Sequence, residues 1–490
     1  MKIKDLLQKI DYISFNGNEE TEVQGITNNS KEVKEDFIFV ALKGSKFDGH
    51  DFIDEAISLG AKTVVSERKP KLSKNVNWIR VKDARESLWR LSVLIYGDFT
   101  SKIKLIGVTG TNGKTTTTHL IEHIFKSAGF QTGLIGTIYS RWGEKQAQAQ
   151  MTTPESPQIN RTLKEMVEDG VTIAVMEVSS HSLVMKRVDG LNFKCAVFTN
   201  LTHDHLDFHK DMKSYFEAKK RLFTLLDSKE GYGVVNIDDP WGKRLSKETR
   251  APLIFYGLER NAQIFPLNYN LSSEGIEAEI STPSGIIEIS SPILGKPNLY
   301  NILASIGVAV AFNLPKDVIV KALKDFKGVK GRFEMVENPF GFKVMVDYAH
   351  SDDSLKNLLE TVSELGPKKI IVVFGAGGDR DKKKRPKMGE VAGRLADLVI
   401  LTSDNPRSED PLSIIKDIEE GVKKSGNKNY IILPDRREAI YRAISMAEEG
   451  DFVVLAGKGH EEYQIIGDQK IPFSDRKVAE SALEERGART

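Results

Sequence analysis

Apolar residues along the chain follow two periods, and the places where one gives way to the other divide it. Near the start, Ile3, Leu6, Leu7 and Ile10 keep helical spacing, while residues 37–41 and 62–65 are apolar runs of strand length, followed by a Lys/Pro-rich turn at 69–74. From about residue 102 the order becomes strand, loop, helix, repeated. Ile103, Leu105, Ile106 and Val108 read as a buried strand, and Leu120, Ile121, Ile124 and Phe125 return at helical spacing until Gly129. Such alternation predicts a parallel sheet covered on both faces. Residues 276–289 alternate apolar and polar positions and turn at Pro283-Ser-Gly285, which predicts an antiparallel hairpin. After a break near 328–331, apolar strands recur at 369–374, 398–402 and 452–456, each followed by a Gly-rich or charged loop. Ligands of open α/β sheets gather at such carboxyl-end loops. An α/β chain of three domains follows, at 1–98, 99–330 and 331–490, and 490 residues agree with about 150 per domain.

Composition narrows the function. A formal net charge of +1 argues against a dedicated nucleic-acid surface. The single cysteine, Cys195, excludes an internal disulfide, fits a reducing compartment, and lies inside an apolar run unsuited to a nucleophile. No stretch approaches the roughly 18 apolar residues of a membrane span, and the first residues lack a signal-peptide core. These features predict a soluble cytoplasmic chain with neither membrane nor nucleic acid as partner. The basic run Lys382-Lys-Lys-Arg-Pro386, with Asp379 and Asp381 beside it, reads as a solvated loop.

Candidate chemistry centres on Gly110-Thr-Asn-Gly-Lys-Thr-Thr116. The strict phosphate-loop pattern fails by one position, since its first glycine falls at Val108. Its physical requirements are met: Gly110 and Gly113 free the backbone to turn amides inward at a helix start, Lys114 neutralises phosphate, and Thr115 offers a hydroxyl to magnesium. Glu177 ends the apolar run that begins at Val171, where an acid beside a phosphate loop serves magnesium. The segment from Thr199 to His209 holds His203, His205 and His209; Phe208 spoils the spacing of a zinc motif, and a second magnesium site using His205 agrees better with the upstream loop. Lys219 sits mid-stripe among Met212, Tyr215, Phe216, Leu222, Phe223 and Leu226. A lysine there either snorkels to solvent or is a desolvated amine able to take up carbon dioxide as a carbamate, an anionic ligand for magnesium.

Taken in order, the phosphate loop, Glu177-Val-Ser-Ser-His181, Thr199-Asn-Leu-Thr-His-Asp-His-Leu-Asp207, Gly331-Arg-Phe-Glu334 and Asp347-Tyr-Ala-His350 resemble the Mur ligases of peptidoglycan synthesis over nearly the whole chain. Asp404-Asn-Pro-Arg407 and Gly457-Lys-Gly-His-Glu461 resemble the branch that adds the third amino acid to UDP-N-acetylmuramoyl-L-alanyl-D-glutamate. The resemblance implies an N-terminal α/β UDP-binding domain, a central P-loop parallel-sheet ATPase domain and a C-terminal Rossmann-like α/β domain. It implies ATP as co-substrate, magnesium at Thr115, Glu177, His205 and Lys219, and a carbamate on Lys219. ATP would meet Gly110, Thr111, Asn112, Gly113, Lys114, Thr115, Thr116, Asn298, Asn301, Arg332 and Asp347. The UDP-sugar peptide would meet Ser30, Ser45, Lys46, Phe47, Thr152, Thr153, Ser179 and Arg187. The amino acid would meet Arg380, Asp404, Asn405, Pro406, Arg407, Gly457 and Glu461. Met151 and Met185 depart from polar residues of relatives and remove a polar contact to the nucleotide peptide.

The implied reaction joins an amine to the D-glutamate γ-carboxylate through an acyl phosphate, and the expected enzyme is a monomer acting on small molecules. Meso-2,6-diaminopimelate exceeds lysine by one carboxylate, which a guanidinium clasps bidentately, so Arg407 favours diaminopimelate. L-Lysine as the added residue is the alternative, and a folylpolyglutamate synthetase the distant one.

Overall fold

The structure is a computed structural model that describes residues 1–44, 47–70, 76–99 and 101–489. Two of the sequence expectations thus lie outside the described residues: Ser45 with Lys46, and most of the turn at 69–74. The chain forms two compact units, one of Met1–Ile264 with Leu303–Ile319 and the other of Phe265–Ile302 with Val320–Thr490.

The first unit holds two sheets. The smaller runs Ser14–Asn16, Asn77–Arg80, Ala61–Ser66, Phe37–Val40, Gly25–Thr27 from edge to edge, with the first strand antiparallel and the rest parallel. Ile3, Leu6, Leu7 and Ile10 bury against one of its faces, although the helix itself spans only Ile3–Leu7. The larger sheet has eight strands in the order Leu253–Tyr256, Tyr232–Asn236, Phe193–Phe198, Lys104–Thr109, Ile173–Glu177, Thr132–Ile135, Tyr139–Trp142, Lys145–Gln148. Six are parallel, as the alternation predicts, but the last two form an antiparallel hairpin. Every residue of Lys145–Gln148 is exposed, so no apolar period marked this strand, and its polar side chains blunt an open edge.

The helix Lys114–Ser127 opens with four threonines, poor helix formers in isolation. Packing overrides propensity: Leu120, Ile121, Ile124 and Phe125 are at most 1% exposed, and Thr118 returns its hydroxyl to the Thr115 carbonyl at 2.9 Å.

The second unit holds an antiparallel three-stranded sheet, Phe265–Ser272, Gly275–Ser281 and Ile287–Ser291, which contains the expected hairpin. Its main sheet runs Glu334–Val336, Lys343–Asp347, Phe452–Ala456, Ile370–Phe374, Leu398–Leu401, Tyr430–Ile432, parallel except for the first strand. Two apolar clusters cover its opposite faces. Through the middle of this fold Arg436 pairs with Asp475, both without exposed side-chain surface, and donates to the carbonyls of Ser403 and Ala456. Arg436 thereby ties together the ends of Leu398–Leu401 and Phe452–Ala456, two strands on either side of Ile370–Phe374 that lead into candidate loops.

The basic run at 382–386 corrects an expectation. Lys384–Leu395 is helical, and Arg385 is wholly buried, paired with Glu409 at 2.8 Å and Asp417 at 2.9 Å. The reason is distal: carboxylates at least 24 residues away compensate the charge, which holds the Glu409 carboxyl near a pKa of about 2.

Candidate active site

In the first unit, the carboxyl ends of neighbouring strands are level, with Glu177 beside Val108 and Phe198 beside Thr109. The phosphate-type loop therefore emerges between Glu177 on one side and Thr199 on the other. The second side staples the loop. Asn200 Oδ1 accepts from Asn112 N at 2.9 Å, the Asn200 carbonyl accepts from Thr111 N at 2.9 Å, and Thr199 Oγ1 donates to the Asn112 carbonyl at 2.7 Å. A Cβ on Gly110, whose φ is +153°, would stand 1.8 Å from Thr199 Oγ1, so glycine is required for this approach.

Lys114 folds back onto its own loop, donating to the carbonyls of Gly110 at 3.0 Å and Thr111 at 2.9 Å. Lys219, on the helix Met212–Thr224 capped by Asp211, donates to the same Gly110 oxygen at 2.7 Å. It is 1% exposed, so of the two readings left open by the stripe it is the desolvated amine, not the snorkelling cation. Burial first, and then repulsion from Lys114, hold this amine well below the usual lysine range against the pull of Asp204.

Tyr215, which the stripe presented only as an apolar residue, joins these parts. Its ring lies 4.6 Å from Lys219 Nζ, its hydroxyl is 3.2 Å from Thr111 Oγ1, and His209 stacks on it at 4.8 Å. His205 meets the same ring edge-on at 6.0 Å and His181 at 5.0 Å, on a left-handed backbone with φ 54°, its side chain exposed.

Glu177 is fully buried and its carboxylate is surrounded by donors. Thr115 Oγ1 reaches it at 3.0 Å, Thr137 N at 2.8 Å and Thr137 Oγ1 at 3.0 Å. Thr137 Oγ1 also lies 3.2 Å from Thr152 Oγ1. Thr137 is the donor in both contacts, and its one proton cannot serve both acceptors at once; the charged carboxylate is the stronger of the two. Thr153 donates to the Glu177 carbonyl at 2.8 Å and accepts from Ser179 N at 3.0 Å, while Arg187 Nη1 donates to the Thr153 carbonyl at 3.1 Å. Thr152, Thr153, Ser179 and Arg187 thus form one cluster with Glu177. Ser30 is buried at the start of a short 3-10 turn in the smaller sheet's region, and Phe47 is 72% exposed.

Thr115 and Glu177 offer two oxygens in direct contact, a donor set that suits magnesium, which keeps several waters and takes few protein oxygens beside phosphates. Among the described residues, no group of three or more His, Cys, Asp or Glu is arranged to hold a metal.

In the second unit, the candidate residues again stand at carboxyl ends of parallel strands. Asp347 accepts from Phe333 N and Ala349 N, each at 2.8 Å, and burial raises its pKa against the opposing charge of Arg332. Arg332 lies over the Tyr348 ring at 4.6 Å. Asn298 and Asn301, in the first turns of the helix Lys296–Ala311, are buried and bonded to each other at 2.9 Å. Asp404 and Asn405 are buried after Leu398–Leu401, and Gly457 follows Phe452–Ala456 with φ +115°. That φ favours glycine, and a Cβ there would stand 2.8 Å from Asp404 Oδ2, crowding its carboxylate. Arg407, also left-handed at φ 52°, is held through its backbone by Ile465 and Gly467 and donates from Nη1 to the Gly378 carbonyl at 2.7 Å. The Pro406 carbonyl packs against Gly378, and Arg380 is exposed on the neighbouring loop. Lys458, which the motif reading passed over, is buried between Asn405 and Glu461.

A stapled phosphate-type loop on a parallel sheet, with a buried acid beside its hydroxyl, defines a nucleotide-binding scaffold, and the second unit adds a Rossmann-like sheet. The comparisons agree. The Mur ligase family catalytic domain matches residues 22–93, the Mur ligase middle domain residues 108–309, and the glutamate ligase domain of Mur ligases residues 331–459. UDP-N-acetylmuramoyl-L-alanyl-D-glutamate–2,6-diaminopimelate ligase of Geobacter sulfurreducens is 44% identical, with 99% of each chain covered. The protein of the same name from Bacillus velezensis is 45% identical over 95% of each chain. A solved structure of a 2,6-diaminopimelate ligase of that name aligns with TM-score 0.68 at 30% identity, covering 99% of both chains. The chain belongs to the Mur ligase family.

Proposed function

We propose that this chain joins meso-2,6-diaminopimelate to the D-glutamate γ-carboxylate of UDP-N-acetylmuramoyl-L-alanyl-D-glutamate, at the expense of ATP, in the synthesis of peptidoglycan precursors. The observation that carries the reading is likeness to diaminopimelate ligases at 44% identity along 99% of the chain. The geometry supports it with a stapled phosphate loop, a buried acid at its hydroxyl and a buried lysine on its carbonyl.

A carboxylate is a poor electrophile, so its oxygen attacks the γ-phosphorus of ATP, releasing ADP and leaving an acyl phosphate. The amine then attacks the acyl carbon, phosphate departs, and the amine's proton is lost. Loop amides and Lys114 hold the phosphates and offset repulsion between two anions. Thr115 and Glu177, with His205 and carbamylated Lys219, would hold magnesium, which supplies further charge neutralisation when bound. Lys219 would reach that form by adding its neutral amine to carbon dioxide with loss of a proton. Thr152, Thr153, Ser179 and Arg187, with Ser30, Ser45, Lys46 and Phe47, hold the UDP-sugar peptide. Asn298, Asn301, Arg332 and Asp347 serve the nucleotide.

Arg380, Asp404, Asn405, Pro406, Arg407, Gly457 and Glu461 hold the amino acid, with Arg407 clasping the far carboxylate of diaminopimelate. We infer the three domains at 1–98, 99–330 and 331–490, and a cytoplasmic monomer without membrane or nucleic-acid partner; no helix among the described residues is long and apolar enough to cross a membrane. An assay of ADP release with a panel of amino acids, with and without the UDP-linked acceptor, tests the reading. Release must require both acceptor and diaminopimelate; equal use of lysine overturns the choice of amino acid, and release without either overturns the ligase.

A further inference from the structure

Lys458 has no exposed side-chain surface, yet it stands between two carboxylates. Its Nζ is 3.1 Å from Glu461 Oε2 and 3.7 Å from Asp404 Oδ1, and it donates to Asn405 Oδ1 at 3.1 Å. The Tyr463 ring lies 5.7 Å from the ammonium. An ammonium buried in this way costs several kcal/mol of lost hydration and persists only where its partners compensate it. The partners are fixed in return. Asn405 Oδ1 also accepts from Ile465 N at 2.9 Å, so the amide cannot flip, and its Nδ2 must face Glu461 Oε2, to which it donates at 2.9 Å. Both the Lys458 and the Asn405 donors fall on Oε2, which sets the rotation of the Glu461 carboxylate. Two carboxylates against one ammonium leave a single negative charge, the sign that attracts a substrate ammonium.

We propose that Lys458 is a positioning residue for the incoming diamino acid: it orients Asn405 and Glu461, so that the substrate ammonium meets carboxylate and amide oxygens already held in place. The proposal rests on the amino-acid ligase reading above. Its removal acts on amino-acid capture, whereas a purely structural ion pair, once broken, lowers the amount of folded enzyme and leaves Michaelis constants alone.

The test is steady-state ADP release by full-length Lys458→Met with diaminopimelate, ATP and the UDP-linked acceptor varied in turn. The KM for diaminopimelate rises tenfold or more, while those for ATP and acceptor stay within about twofold. An unchanged KM for diaminopimelate, or an equal rise in all three, overturns the proposal. Should the single variant fail to fold because Asp404 and Glu461 are left uncompensated, Lys458→Met combined with Glu461→Gln removes one of those charges. In that double variant the KM for diaminopimelate rises above that of Glu461→Gln alone, because Asn405 has lost the Lys458 donor, while those for ATP and acceptor match; no further rise for diaminopimelate, or an equal rise in all three, overturns the idea. Wild-type enzyme that prefers lysine fails the choice of substrate only, and the same measurements then proceed with lysine.

Discussion

The amine of Lys219 and the carbonyl of Gly110 are 2.7 Å apart, although 109 residues separate them in the chain. One oxygen of the phosphate loop thereby receives both Lys219 and Lys114, and the half-buried Lys114 repels the buried Lys219 amine. Removing Lys219 changes the charge that the loop presents to a nucleotide and removes the group expected to carry a carbamate. Lys219→Ala is expected to lose about a hundredfold or more in turnover, the scale of a deleted preorganised charge. Formate or acetate restores part of the rate. Full activity in the unsupplemented variant refutes the carbamate.

Thr137 gives Glu177 two of its donors, one from the backbone and one from the hydroxyl. Thr137→Val keeps the shape and the backbone donor but deletes the hydroxyl. A hydrogen bond to a buried charge contributes about 1.5–3 kcal/mol, so urea unfolding should show a loss of that size. A midpoint equal to wild type means that Glu177 is satisfied without it.

How much of this was readable beforehand depended on distance along the chain. The phosphate loop, the strand-end Glu177 and the stripe holding Lys219 are local patterns, and each is found where its period puts it. Arg385 was misread because its partners Glu409 and Asp417 come from a loop and helix that no window around 382–386 includes. Thr137 reaches Glu177 across 40 residues and carries no period of its own. The strand Lys145–Gln148 has no buried position, and so no alternation to detect. Lys458 lay inside a quoted motif, but a single lysine in a Gly-rich loop reads as solvated until its burial is seen.

Arg407 holds a backbone conformation uncommon for a residue with a side chain, fixed from both sides by Ile465 and Gly467. Such a cost, of order 1–3 kcal/mol, is retained where it aims a side chain. Arg407→Ala should raise the KM for diaminopimelate more than tenfold, consistent with about 2–5 kcal/mol for losing one member of a buried charged pair, with ATP binding unchanged. Equal weakening of both substrates argues against the carboxylate clasp.

His460 predicts an acid-sensitive term in stability. Burial, reinforced by Arg332 and Lys330, pushes its pKa down to about 4, and its Nδ1 has no hydrogen-bond partner among the described residues. The unfolded chain binds the proton near pH 6.5, the folded chain only near 4, so unfolding takes up a proton between those values. Stability is therefore full above about pH 6.5, falls as the pH drops toward 4, and levels off below; the complete loss is about 3 kcal/mol. Substituting a side chain that does not titrate removes this slope. Denaturation of wild type and His460→Gln at pH 7 and pH 4.5 measures it: wild type should lose about 2–3 kcal/mol more than the variant between the two conditions. Equal losses would mean that the imidazole is solvated in the folded protein and that Tyr348, 5.1 Å from it, does not enclose it.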